Sequence, residues 1–347
     1  MSDCYNFCAG PGLLPPVVIE RLKEDMSEWG STRCGLLEVS HRTSAYTELK
    51  ARTEANLLQL FGLGNDYTIL LLQGGASGQF AMLPYNFLRD GTTADYLVRG
   101  YWADKAAQQA ARVARVRRLT SLEEGWSERA VYAHVTTNET IAGTALPEDF
   151  MKPKVPLCAD MSSDILAQPR NYRDYALFYA GAQKNLGVAG LAVVVAEKEF
   201  LSHARRNLPA AFCYLEHAKA NGLYHTPNAF AVDALYHLTN WMLEVGPETI
   251  WAQNRRKAET LYAELDRSAF WRPIAPRNER SLTNITFRLP SVELESRFLA
   301  EATANGLLAL KGHRSQGGIR AALYNAMPQS GVDKLTAFMR EFERNNN

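Results

Sequence analysis

Tyr179-Ala180-Gly181-Ala182-Gln183-Lys184-Asn185 decides the architecture, because it joins two apolar runs: Tyr175-Ala176-Leu177-Phe178-Tyr179 before it and Leu191-Ala192-Val193-Val194-Val195-Ala196 after it. Short runs rich in β-branched and aromatic residues read as buried strands, and Gly187 and Gly190 mark a tight connection between them. That connection sets Lys184 at the mouth of a sheet. Partial desolvation there lowers an ammonium's pKa and leaves an amine able to attack carbonyls. Standing alone, a lysine beside a strand end is far more often an ordinary solvated side chain.

Outward from this point, strand candidates lie at 68–72, 93–98, 130–136 and 155–159, besides 176–179 and 191–196. Helices are expected from Pro16, over 45–61 with a stop at Gly62, over 104–112 and over 231–245. Strands interleaved with helices predict an α/β unit with a mostly parallel sheet flanked by helices. Beyond Gly246-Pro247 the character changes. Helices at 248–266 and 292–304 alternate with short strands at 281–288 and 319–323. A last helix carries Val332, Leu335, Phe338, Met339 and Phe342 on one face. The expected division is a large unit, 16–247, and a smaller α+β unit made of 1–15 and 248–347.

The length of 347 residues favours two such units over one core. A net charge of +1 offers no field for nucleic acid or an acidic membrane surface, and no apolar run is long enough to span a bilayer. Five scattered cysteines without a Cys-x-x-Cys pair indicate neither a disulfide framework nor a zinc site, so no metal is expected. The first residues, Met1 to Phe7, do not read as a secretory signal, and a cytoplasmic protein is expected.

In open parallel sheets ligands collect at the carboxyl ends of strands. After Leu72 comes Gln73-Gly74-Gly75-Ala76-Ser77-Gly78, either a bare turn or a phosphate cradle opening a helix. After Val98 comes Arg99-Gly100-Tyr101-Trp102, whose indole either packs internally or stacks on a flat ligand. Thr136-Thr137-Asn138-Glu139-Thr140 follows the next strand as a polar loop. Asp160 follows Ala159, as a helix cap or as the partner of a protonated ring nitrogen. Phosphate loop, stacking ring, acid and amine together are the demands of pyridoxal phosphate, an aldehyde on a pyridine ring with a phosphate handle.

Asn6-Phe7-Cys8-Ala9-Gly10-Pro11-Gly12, Glu38-Val39-Ser40-His41-Arg42, Gly100-Tyr101-Trp102, Asn138-Glu139-Thr140, the 179–185 segment, His225-Thr226-Pro227 and Leu310-Lys311-Gly312-His313-Arg314 carry a further resemblance. On these residues the chain resembles, nearly end to end, the phosphoserine aminotransferase family of class V, fold-type I pyridoxal-phosphate enzymes. The resemblance implies pyridoxal 5'-phosphate held covalently on Lys184, with Lys184 also shuttling the substrate proton. It implies Asp160 on the pyridinium, Trp102 on the ring and Thr140 beside the ring hydroxyl. Ala76, Ser77 and Gln183 would hold the phosphate, joined by His225 and Thr226 from the other subunit of a homodimer with shared sites. Arg320, on a strand opposite Ile319 and Ala321, would clamp the substrate α-carboxylate. His41 and Arg42, with His313 and Arg314 from across the dimer, would take the distal anion. The implied reaction moves the amino group of L-glutamate to 3-phosphohydroxypyruvate in serine biosynthesis, with the phosphohydroxythreonine pair of pyridoxine biosynthesis as a second substrate.

Three departures accompany the resemblance: Ser77 where some relatives carry arginine, His225 where asparagine is common, and a short 112–128 stretch. The alternative is another class V enzyme, of the serine–glyoxylate aminotransferase or cysteine desulfurase type. Desulfurases usually place histidine before the lysine and need a thiol on a mobile loop, whereas Gln183 precedes Lys184 here and no cysteine lies in an obviously suitable loop.

Overall fold

The computed structural model describes residues 4–346. Its centre is a seven-stranded sheet ordered Tyr67–Gly74, Gly190–Glu197, Leu177–Gly181, Leu157–Asp160, Ala133–Thr136, Thr93–Leu97, Arg115–Leu119. Only Gly190–Glu197 runs against the rest, antiparallel to both neighbours. Period-two alternation divides the strands between two buried faces. Phe178, Ala180, Val193 and Val195 join a core beneath helices Pro16–Ser27, Ser44–Phe61 and Ala229–Val245. Leu177, Tyr179, Val194 and Ala196 face helices Ala76–Phe87 and Tyr101–Ala110. Burial on both sides explains why these strands read as continuous apolar runs.

A third core gathers helices Pro247–Arg267, Val292–Ala304 and Gln329–Arg344 on an antiparallel sheet of Arg272–Pro273, Asn284–Arg288 and Ile319–Ala322. The N-terminal segment joins this part. Tyr5–Asn6 pairs in parallel with Leu307–Leu308, and Phe7 is fully buried in the third core. From there the segment crosses to the large sheet, where the Gly12 amide donates to the Gln183 carbonyl at 2.7 Å. We propose the division 16–247 against 1–15 with 248–347 on the grounds of these cores.

Several elements differ from the sequence expectation. Arg115–Leu119 is an edge strand parallel to Thr93–Leu97, within the stretch read only as a short connection. Its arginines are compatible with an edge, where one face needs no apolar cover and charge discourages further pairing. Asn138–Glu139 and Thr144–Ala145 form a small hairpin instead of a plain loop. The first large-sheet strand continues through Gln73 and Gly74, and the Tyr101–Ala110 helix starts before Asp104.

Candidate active site

Strand ends converge on a cleft of about 140 Å³ at the carboxyl edge of the sheet. Ala76, Ser77, Trp102, Asp160, Gln183 and Lys184 all line it, with Phe80, Thr136, Asn138, Ser162 and Ser163 beside them.

Lys184 sits in the turn between adjacent antiparallel strands, which the Ala182 amide closes onto the Leu191 carbonyl at 2.9 Å. Its Nζ lies 5.9 Å from the centre of the Trp102 ring. Burial pulls the ammonium below its ordinary pKa, with Arg320 adding to the effect, while Asp160 and Glu139 oppose it. Desolvation is the largest influence, so the amine is easier to free of its proton than a surface lysine. Asp160 is pushed the opposite way by the same burial, moderated by Lys184 and by hydrogen bonds from Ser162. Ser162 gives both its amide (2.9 Å) and its hydroxyl (2.6 Å) to Asp160 Oδ1. Asp160 is therefore the last residue of its strand with an oriented carboxyl, and no regular helix follows for it to cap.

The Ala76–Phe87 helix begins after Gly75, whose position has no side-chain cap. The first-turn amides thus face the cleft with the positive end of the helix. A Cβ built on Gly75 would meet nothing within 4 Å, so the space before these amides is open. Thr136 Oγ1 is buried in the same cleft and has no hydrogen-bond partner among the described residues.

Trp102 is fixed by residues whose role the sequence did not disclose. Its indole Nε1–H donates to Thr140 Oγ1 at 3.0 Å. The buried Glu139 carboxylate accepts from the amides of Trp102 (3.2 Å) and Ala103 (2.9 Å), capping the helix from the neighbouring hairpin. A contact between residues 36 apart has no local signature, although Glu139 stands in a polar strand-end loop. Thr140 is buried, adjoining the cleft without lining it, and its carbonyl accepts from Arg320 Nη1 at 3.4 Å. Arg320 alternates with the fully buried Ile319 and Ala321 as expected and stays half-buried.

Neither Arg320 nor the remaining cations line the cleft. His41 is half-buried and Arg42 exposed on the loop before Ser44–Phe61. His313 packs its ring 5.5 Å from Tyr101, while Arg314 is exposed. The Ser315 amide donates to His313 Nδ1 at 3.2 Å, so a neutral ring carries its proton on Nε2. Burial, with Arg320 and Arg314 nearby, holds His313 below its ordinary pKa. His225 and Thr226 also lie away from the cleft of their own chain. Gln73 Nε2 donates to the Thr226 carbonyl, Thr226 is exposed, and His225 Nδ1 is buried without a hydrogen-bond partner.

The N-terminal segment covers the lysine. A Cβ on Gly12 would stand 2.8 Å from both the Lys184 carbonyl and the Tyr324 ring. Tyr324 donates its hydroxyl to the Ala9 carbonyl at 2.7 Å, tying the segment down. The same segment carries Cys8, close enough to Arg320 and Tyr324 to influence both. A thiol therefore does stand near the site, on a pinned segment whose Cys8 amide is held by Asn6 Oδ1 at 3.1 Å.

The Aminotransferase class-V family model matches residues 4–335. The phosphoserine aminotransferase of Desulfatibacillum aliphaticivorans is 41% identical over 99% of this chain and 98% of its own. The chain belongs to the phosphoserine aminotransferase family of class-V aminotransferases. Solved members have the same fold. Phosphoserine aminotransferase from Bacillus circulans subsp. alkalophilus superimposes with a TM-score of 0.96 at 38% identity, covering all of both chains. The PLP-bound enzyme from Trichomonas vaginalis gives 0.93 at 31% identity, covering 97% of this chain and 99% of that one.

The residues of the cleft fit the cofactor this family implies. An anion seat at a helix start, an unpartnered hydroxyl, an indole face, an oriented carboxyl and a desolvated amine answer to phosphate, ring and aldehyde.

Proposed function

We propose that the enzyme transfers the amino group of L-glutamate to 3-phosphohydroxypyruvate, giving phosphoserine and 2-oxoglutarate, with pyridoxal phosphate held on Lys184. The carrying observation is the desolvated Lys184 amine, 5.9 Å from the Trp102 ring centre in one cleft with Asp160 and the Ala76–Ser77 helix start. Bound there, pyridoxal phosphate would supply an electron-accepting ring that stabilises charge developing at the substrate α-carbon.

The chain's own residues would do the rest. The Ala76 and Ser77 amides and Gln183 hold the phosphate, and Trp102, fixed by Thr140 and Glu139, orients the ring. Asp160 keeps a proton at the ring nitrogen, its own Oδ1 steadied by Ser162. Lys184 Nζ would carry the proton between the substrate α-carbon and the cofactor, a task its lowered pKa suits. The N-terminal segment, with Gly12 against the Lys184 carbonyl, excludes water from the lysine's back.

Arg320 would grip the α-carboxylate, its guanidinium already aimed by the Thr140 carbonyl. For the distal phosphate or side-chain carboxylate, His313 offers a neutral Nε2–H, and Arg42 and Arg314 offer charge with His41 beside them. Neither His225 nor Thr226 lines its own chain's cleft, and the unpartnered His225 Nδ1 is a donor or acceptor in want of a ligand. Both facts support a homodimer in which these residues serve the other subunit's site.

The test is a substrate panel with purified enzyme and its Lys184→Ala variant. Glutamate-dependent amination should favour phosphorylated over unphosphorylated hydroxypyruvate, and the variant should lose about 10²–10⁴-fold in turnover while staying folded. Equal use of both oxo acids would remove the phosphate specificity. Release of sulfide from cysteine would favour the desulfurase alternative.

A further inference from the structure

A second cavity, of about 310 Å³, opens between the helices Pro16–Ser27, Ser44–Phe61 and Ala229–Val245 and shares no lining residue with the Lys184 cleft. Asp25, Asp233 and His237 meet in it, each offering one ligand atom, all within 4.8 Å of one another. Asp233 and His237 are four residues apart and share one helix face, while Asp25 comes from a helix more than two hundred positions earlier.

Asp233 is the unusual member. Its side chain is 1% exposed, it lines the cavity, and neither carboxylate oxygen has a well-aligned hydrogen-bond partner among the described residues, although the Asp25 and Trp29 side chains stand close enough to influence it. Buried carboxylates are ordinarily paired, hydrogen-bonded or bound to a metal. The nearest cationic candidate is His237, whose Nε2 is 2.6 Å from Asp25 Oδ2 and 3.6 Å from Asp233 Oδ2. Burial, with Asp25 beside it, pushes the pKa of the Asp233 carboxyl up to about 8, so without a cation it holds a proton near neutrality that a bound ion would displace. The other cation at the cavity, Arg52, is engaged by Glu48.

We propose that Asp25, Asp233 and His237 form a binding site for one divalent transition cation. Two carboxylates and a neutral imidazole balance a double positive charge, and nitrogen with two oxygens suits zinc or manganese better than the all-oxygen shells of magnesium or calcium. Ligand atoms around one such ion at bonding distance stand about 3.4 Å apart in tetrahedral geometry. The His237–Asp233 separation is already close to that. The His237–Asp25 pair must open by less than about 1 Å, exchanging its hydrogen bond for coordination, and binding releases the Nε2 proton together with the proton held by Asp233. The cavity leaves room for water to complete the shell. Tyr236 and Trp29 complete the nearby wall.

The experiment uses chelator-dialysed holoenzyme, titrated with Zn²⁺ alone and with Mn²⁺ alone, and crystals soaked in each for anomalous scattering. One ion per chain is expected at these three residues, with affinity reduced about tenfold or more in both Asp233→Asn and His237→Gln. Asn and Gln keep the size of the originals, and the anomalous map of the unaltered enzyme gives an answer even if a variant folds poorly. No anomalous density between Asp25, Asp233 and His237, or binding unchanged by both substitutions, would overturn the proposal. The outcome is independent of the transamination reading, since neither substitution touches the Lys184 cleft.

Discussion

The Trp102 indole gives its N–H to the Thr140 hydroxyl at 3.0 Å, so the ring presented to Lys184 is pinned at its edge as well as through its backbone. Thr140→Val keeps the shape and removes the acceptor, leaving an indole N–H without its partner. We expect a stability loss of about 1–2 kcal/mol in chemical denaturation and roughly tenfold weaker cofactor binding in a spectroscopic titration. Cofactor affinity equal to that of the unaltered enzyme would show that the ring's orientation does not depend on this bond.

Gly12→Ala should act on the same site from the other side. The added carbon would stand 2.8 Å from the Lys184 carbonyl and from the Tyr324 ring, closer than real contacts allow, so the segment or the lysine turn must move. Displacements well under 1 Å already disturb a reacting geometry, and a fall of about tenfold or more in kcat is expected. Steady-state kinetics at saturating cofactor would check it. Unchanged kcat would mean that the N-terminal segment yields without moving Lys184.

Arg320→Lys retains the charge and loses the planar fork. If Arg320 meets the α-carboxylate, KM for glutamate and for the oxo acid should both rise about 10- to 100-fold, the value of a charge-assisted hydrogen bond. A rise for only one substrate would assign Arg320 to the distal group.

His134 gives a pH prediction. It is buried beneath the site with Nε2 2.9 Å from the Tyr179 hydroxyl, and burial lowers its pKa from 6.5 to about 3. Between those values the unfolded chain binds a proton that the folded one refuses. The contribution to stability is therefore whole above about pH 6.5 and is progressively lost as pH falls toward 3. His134→Gln does not titrate. It should be less stable than the unaltered protein at pH 7, with the gap narrowing at pH 4. A gap constant across that range, measured by denaturant titration, would refute the assignment.

Lys184 and Asp160 were legible because each ends an apolar run, and buried parallel strands place such ends on one edge of the sheet. Ser77 and Trp102 were legible for the same reason. Glu139 was not, since its partners lie across the fold and its hairpin has only two residues a side. The edge strand Arg115–Leu119 escaped because three of its five residues are arginine, and strand reading relies on apolar pattern. Asp25, Asp233 and His237 look like surface charge in the sequence, and only the packing of three helices brings them together.

The union of Tyr5–Asn6 with Leu307–Leu308 has a bearing on how the enzyme matures. Partners some three hundred positions apart close a very long loop, and contacts of that kind form late. The segment that shields Lys184 finds its anchor only once the C-terminal sheet and helices exist. A growing chain therefore carries Lys184 uncovered from its own addition until the C-terminal elements have been made, and refolding enzyme should regain secondary structure before it regains a sheltered lysine.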